Sequence, residues 1–382
     1  MKTWKRVVLI VLYILASFGL LFYSFTQIDL GLTVSRIGII QTAQRWFAHF
    51  GYFERPQSTF VYIGLLLLWF SLYALMLYLS HRKKISFHFI WTIIFVIVRI
   101  SIFSYPAFSY DFFNYMFTAK TVALYHKNPY SVIPLDFTGF DPWIMFMRWT
   151  HLPSAYTPLW ISLTIPLYLL SFGVFLPFLF LLKGIFSLSY VLSCIAIYLV
   201  SRKEKFLYPE KILVAFALNP LVIIESLISP HNDIVMMALV LWAYVFFIDK
   251  KHFVSVFFFA LSIGLKFMTI FIFPMYFLRW NRKGLMMCML FGFFLVLMQR
   301  EVLPWYFLWL MPFAAFLSVY TEVLVILFGA SLGLLLRYAP YLYLGNWDPP
   351  AMQWKSLLTL VPLICSIALA AGIFLKRIAR KI

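Results

Sequence analysis

Acidic residues are scarce in this chain: Asp and Glu number 13 among 382 residues, and all charged types together make up 12%. A dissolved globular domain carries about a quarter of its residues charged, so no soluble domain is expected. Cysteine is rarer still. Cys194, Cys288 and Cys365 each sit inside an apolar run without paired spacing. They read as small packing residues and imply neither a disulfide framework nor a thiolate metal site.

What replaces charge is apolar surface, 64% of the residues. A helix needs about 20 apolar residues to cross roughly 30 Å of hydrocarbon, and runs of that kind recur, as at 7–25, 60–79 and 357–375. The fold class is therefore an all-α polytopic membrane protein. The 1–382 chain reads as a single transmembrane domain. The formal charge of +18 does not indicate a nucleic-acid partner. Most Lys and Arg residues stand in short clusters between apolar runs: Lys2/Lys5/Arg6, Arg82/Lys83/Lys84, Arg202/Lys203/Lys205, Lys250/Lys251, Arg279/Arg282/Lys283 and Lys376/Arg377/Arg380/Lys381. That is the cytoplasmic-loop bias of inserted helices. The first apolar run has basic residues ahead of it but is long and lacks a clear cleavage site, so it reads as a first transmembrane helix.

Placing every basic cluster inside fixes a topology. Helices over about 7–28, 60–80 and 88–104 leave the polar stretch 105–155 outside. A helix over 212–229 runs out and one over 234–248 returns. Only some 26 residues separate Lys251 from the next basic cluster, too few for two full spans. Two half-helices fit, with Gly264-Leu-Lys266 at the tip of a re-entrant hairpin, which is tolerated where it lines a polar cavity. Residues 156–200 must make an odd number of crossings, read as one span plus a short re-entrant pair. The total is about ten full spans plus half-helices, with both termini cytoplasmic and the protein in the plasma membrane. Asp111, Asp233 and Glu301 then fall near outer helix ends, with Lys266, His231, His151 and Arg148 at the same level. An ionised side chain beside the bilayer is costly and marks a functional site.

Four motifs carry these residues. Tyr110-Asp-Phe-Phe-Asn-Tyr-Met-Phe-Thr-Ala119 puts Asp111 and Tyr115 on one face of an external, interfacial helix. Asn128-Pro-Tyr130 ends that region with a turn, and the outer loop closes through His151 and Tyr156-Thr-Pro-Leu159. Next, Asn219-Pro and Glu225 lead to His231-Asn-Asp233. Third is Lys266, in an otherwise apolar segment. Fourth is Pro304-Trp-Tyr-Phe-Leu-Trp309. Each has a plainer reading: Asp111 and the His231–Asp233 triplet as helix caps, Lys266 as a snorkelling lysine, the aromatic run as an interface belt.

Taken together and in this order, the motifs resemble the GT-C superfamily of membrane glycosyltransferases, most of all the bacterial polyprenol-phosphomannose-dependent α-1,6-mannosyltransferases. A departure is Thr157, where those enzymes typically carry glycine. The resemblance implies a GT-C-like bundle whose loop 105–155 carries the catalytic helix. It implies an inverting transfer of a sugar, mannose by likeness, from a polyprenyl-phosphate donor to a glycan or lipid-linked acceptor on the extracytoplasmic face. Asp111 would be the base that activates the acceptor hydroxyl. Lys266, His231, His151, Arg148 and Lys120 are candidates to stabilise the leaving phosphate. Tyr115, Asn128, Tyr130, Tyr156, Asn232, Asp233, Trp305 and Tyr306 would line the substrate pocket. No cofactor is assigned and metal dependence stays open: Asp111 and Asp233 with His231 could ligate a divalent metal ion, yet no sequence-local ligand spacing supports one. The rival reading is a transporter or lipid-linked-sugar flippase, which commonly shows internal repeats and a midplane site; no repeat is visible here.

Overall fold

The computed structural model describes residues 2–33 and 35–379, so Arg380 and Lys381 of the C-terminal basic cluster lie outside the described residues. Among those described, every regular element is helical. In chain order they are α1 (Thr3–Phe25), α2 (Gly38–Tyr52), α3 (Arg55–His81), α4 (Phe87–Ser101), α5 (Asp111–Ala123), α6 (Pro158–Leu170), α7 (Phe175–Lys203), α8 (Pro209–Ala217) and α9 (Pro220–Ile223). They continue as α10 (Asp233–Ile248), α11 (His252–Leu265), α12 (Arg282–Leu297), α13 (Met311–Phe316), α14 (Thr321–Leu336), α15 (Ala339–Leu344) and α16 (Ala351–Ala379). The protein is a polytopic all-α membrane protein.

Five helical stretches are long and apolar enough to cross a bilayer, or six if the bent pair 209–217 and 220–228 is one span. Shorter apolar helices cover 87–101, 158–170, 233–248, 252–265 and 267–276. The expected ten crossings thus resolve into a few long helices and many short ones. At 1.5 Å rise per residue, a 15-residue helix such as α4 covers about 22 Å, short of the hydrocarbon thickness. Between 156 and 200 the structure has the short α6 and the long α7 rather than a span plus a re-entrant pair. Helix α2 falls in the connection between the first two expected spans, where the sequence pattern predicts no helix.

The breaks have local causes. Asn219 caps α9, its Oδ1 accepting from Leu221 N at 2.9 Å, and Pro220 occupies the first helical position. The chain bends by 54° there and continues as one π-turn over Ile224–Ile228. Breaking a helix frees carbonyls that lipid cannot satisfy. The Tyr73 and Tyr190 hydroxyls donate to Ala215 O and Ala217 O at 2.9 and 2.6 Å. The hairpin tip expected at Lys266 is present: α11 stops at Leu265, Lys266 is extended, and a 3-10 helix follows over Phe267–Tyr276. Ser262 pins the two arms, bonding Met236 O of α10 and Thr269 Oγ1, each at 2.9 Å.

Buried apolar side chains from α1 through α15 form one connected core. Helices α8 to α10 are its centre, since residues 211–238 are buried without interruption. In contrast, α16 leaves most of its apolar residues exposed, as a lipid-facing helix does. The basic clusters gather at one end. Lys203 pairs with Asp249, Tyr208 packs on His81 and Lys83, and Arg282 lies over Phe206.

Candidate active site

At the opposite end, α4 finishes at Ser101. The fully buried Lys183 of α7 collects its loose carbonyls, with Nζ 3.0 Å from Ser101 O and 2.6 Å from Ser104 O. The connection to α5 is stitched down by Tyr105 N to Ser24 Oγ at 2.9 Å and Phe108 N to Ser229 Oγ at 3.3 Å. Asp111 then sits in the first turn of α5, where the helix dipole favours a negative charge. Its backbone N–H reaches Ser109 Oγ at 3.3 Å, but its carboxylate caps nothing. The side chain is half-buried and, among the described residues, has no hydrogen-bond or ion-pair partner. Burial pushes its pKa up, the charges of His231 and Lys266 pull it down, and Asp233 pushes it up again; the net is a raised value. Asp111 is therefore close enough to His231, Lys266 and Asp233 to feel their charges.

Asp233, in the first turn of α10, is buried, and it does not cap its helix either; Asn232 holds the cap position without a side-chain bond. Its Oδ1 receives Lys266 Nζ at 2.7 Å and the indole N–H of Trp309. Lys266 lies over the rings of Tyr306 and Trp309, at 5.6 and 5.5 Å, and those rings stack on each other. Its ammonium stays partly open, with 31% of the side chain exposed. The plainer readings of Asp111 and Asp233 as caps thus fail on geometry, and Lys266 turns to a carboxylate rather than snorkelling.

His231 is sealed. Its ring stacks on Trp305 at 4.0 Å, and Nδ1 lies 3.2 Å from Glu225 Oε2. That distance suits an ion pair, although neither ring nitrogen makes an oriented hydrogen bond. The other Glu225 oxygen accepts from Tyr338 at 3.0 Å. Glu225 was quoted within its motif but given no role. Its signal was available: a lone carboxylate in an apolar run, six residues before His231. The π-turn is what aims it inward.

Tyr115 hydroxyl accepts from Asn232 N at 3.4 Å, and its ring meets Tyr156 and Trp160 edge-on at 4.6 and 5.1 Å. Asn128 folds its own turn, Oδ1 accepting from Tyr130 N at 3.0 Å, while the Tyr130 hydroxyl donates to Tyr156 O at 2.7 Å. Thr157 caps α6 and donates to Leu265 O at 3.0 Å, joining the loop closure to the hairpin tip that presents Lys266.

An open carboxylate beside a lysine–aspartate pair and an aromatic wall suits transfer of a sugar to a hydroxyl. A family model described as alpha-(1→6)-mannopyranosyltransferase, N-terminal domain, of the MptA_B family, matches residues 14–282. The chain belongs to that family. No curated relative and no solved structure matches it. This mannosyltransferase is an enzyme, and the match covers every expected site residue except Trp305 and Tyr306.

Three further phosphate candidates of the mannosyltransferase have other surroundings than Lys266. Lys120 is buried against Asp141, with Nζ 2.8 Å from Oδ2 and 4.1 Å from the Trp143 ring centre. The Tyr125 hydroxyl shares that carboxylate at 2.8 Å. Lys120 clamps α5 to its loop, and its charge is already matched. Arg148 is exposed and lies over the Tyr110 ring at 4.3 Å, at the rim next to Asp111. His151 is exposed in the loop. No group of three or more His, Cys, Asp or Glu side chains is assembled for a metal ion among the described residues. A cavity of about 530 Å³ opens at the basic end between Glu204, Tyr208, Tyr244 and Arg282. It holds none of the motif residues.

Proposed function

We propose that this mannosyltransferase takes mannose from a polyprenyl-phosphate carrier and transfers it, with inversion, to a hydroxyl of a glycan or lipid-linked acceptor. One observation supports the reading: of two carboxylates close enough to act on each other electrostatically, Asp233 is paired with Lys266 and Trp309, while Asp111 has no partner among the described residues. Acceptor hydroxyls ionise far above neutrality, and a base within hydrogen-bond reach removes that obstacle. Asp111 accepts the proton as the acceptor oxygen attacks the anomeric carbon. The bond from that carbon to the carrier phosphate breaks, and its electron pair stays on the phosphate oxygen. No general acid is needed, because the leaving group is an acceptable anion. It does need a nearby cation, and Lys266 is the one that is both oriented and open. His231, buried beneath Trp305, contributes through its effect on Asp111. Tyr115, Tyr156, Asn232, Trp305 and Tyr306 wall the sugar, while Asn128 and Tyr130 brace Tyr156 from behind.

The external face is supported by the collection of basic clusters at the other end, which the positive-inside bias puts in the cytoplasm. The deciding experiment supplies purified protein in proteoliposomes with radiolabelled polyprenyl-phosphate mannose and a mannose-terminated acceptor. Label is expected in the acceptor when donor and acceptor are added outside vesicles whose basic tail lies inside, and not when the orientation is inverted. Failure to label any acceptor while lipid binding persists would remove the carrier assignment.

A further inference from the structure

A second charge cluster lies outside the family-matched segment, where α14, α16 and the connection after α12 meet. Arg337, at the end of α14, and Lys355, near the start of α16, are both more than nine-tenths buried. Both reach the same atom: Arg337 Nη2 and Lys355 Nζ are each 2.5 Å from Glu301 Oε1. Glu301 is the exposed member, with 53% of its side chain open. This inverts the usual arrangement, in which long cations extend to water over a more buried carboxylate. Two positive charges converge on one oxygen, which leaves one positive charge unmatched within the cluster. Such a pair accommodates an anion with several terminal oxygens better than a single carboxylate oxygen, since each donor can then take its own acceptor.

The surroundings indicate which anion. Lys355 lies over Trp347 at 4.9 Å, and the exposed Trp354 packs edge-on against Tyr343 at 6.1 Å. Half-exposed tryptophan and tyrosine next to a lipid-facing helix mark the headgroup level of a bilayer. Basic pockets between transmembrane helices at that level suit phosphate headgroups. The cluster also abuts the candidate active site, because Tyr338, next to Arg337, donates to Glu225.

We propose that Arg337 and Lys355 form a binding site for the phosphate headgroup of a membrane lipid, occupied by Glu301 when no lipid is bound. The ligand is a lipid phosphate, either the monoester of a polyprenyl carrier or the diester of an anionic phospholipid. The site rests on its own residues and does not depend on the roles given to Asp111 or Lys266.

The test uses the full-length protein in detergent and native mass spectrometry, which counts bound lipids. Polyprenyl monophosphate, phosphatidylglycerol and phosphatidylcholine are the probes. In E301Q the carboxylate no longer competes, and one class of anionic-lipid site is expected to tighten roughly tenfold. In the R337Q/K355Q double variant that site is lost, with phosphatidylcholine unaffected in both. Tightening for the monoester alone assigns the carrier lipid; equal tightening for phosphatidylglycerol assigns bulk anionic lipid. If E301Q leaves both affinities unchanged and only lowers Tm, the cluster is a structural bridge and the proposal fails, whether or not the double variant folds.

Discussion

The segment 219–233 and the loop 124–157 both bring polar side chains to helix α5, and they do so in opposite ways. The first is buried throughout, and each of its charges has a partner: Glu225 with His231 and Tyr338, Asp233 with Lys266 and Trp309. The second is largely exposed, and its polar groups mostly bond their own backbone, as in the Asn128 turn. Between them stands Asp111, half-buried and unpaired. The difference teaches that burial of a charge and its use in chemistry are separable. A buried charge must be matched or it costs several kcal/mol, so the groups that react are those at the boundary, where water can still reach.

The comparison breaks most sharply at the two aspartates. Asp111→Asn removes the base and is expected to cut kcat by roughly 10²–10⁴ with Tm unchanged, measured by label transfer and thermal unfolding of purified protein. Retention of most activity would end the base assignment. Asp233→Asn should do the converse to stability. It strips a buried partner from Lys266, a loss of roughly 3 kcal/mol, at the low end for such pairs because the lysine is partly exposed. A fall in Tm of several degrees is expected, and an unchanged Tm would show the pair to be idle.

Lys266→Gln should raise KM for the donor about tenfold while leaving KM for the acceptor near its starting value. This substitution also sharpens the electrostatic argument. With Asp111 as the proposed base, transfer would need it ionised, so activity is expected to fall as pH drops through its raised pKa, above the ordinary carboxylate value of about 3.9. Lys266 holds that pKa down, so its removal should move the acid limb of the kcat/KM profile to higher pH. A limb that stayed in place would separate Lys266 from Asp111. The smallest effect is expected at Thr157→Ala, which loses the bond to Leu265 O, about 1 kcal/mol. Partial recovery of Tm by serine would confirm that the hydroxyl is responsible.

Much of this was legible in the residues. The scarcity of acid drew attention to Asp111 and Asp233, because an ionised group near lipid needs a reason. Chain length between basic clusters predicted a hairpin tip at Lys266, and the break is there. Lys120 illustrates what was not legible. Its spacing on α5 is compatible with reaching a phosphate, and only the fold of the loop 124–157 brings Asp141 beneath it. Glu225 stood in view without a role, since a π-turn leaves no clear periodic signature. Which apolar runs become long helices and which become short ones was not legible either, because apolar runs do not record where proline and polar caps shorten a helix.

The sequence by itself determined that the chain lies in a membrane, and it singled out a few carboxylates and a lysine within it. Composition and spacing suffice for that, since they measure transfer into lipid one segment at a time. Only the tertiary structure decided which carboxylate is free and which is neutralised. That depends on contacts between residues such as Asp233, Lys266 and Trp309, separated by 33 and 76 positions along the chain and brought together by helix packing that no local pattern encodes.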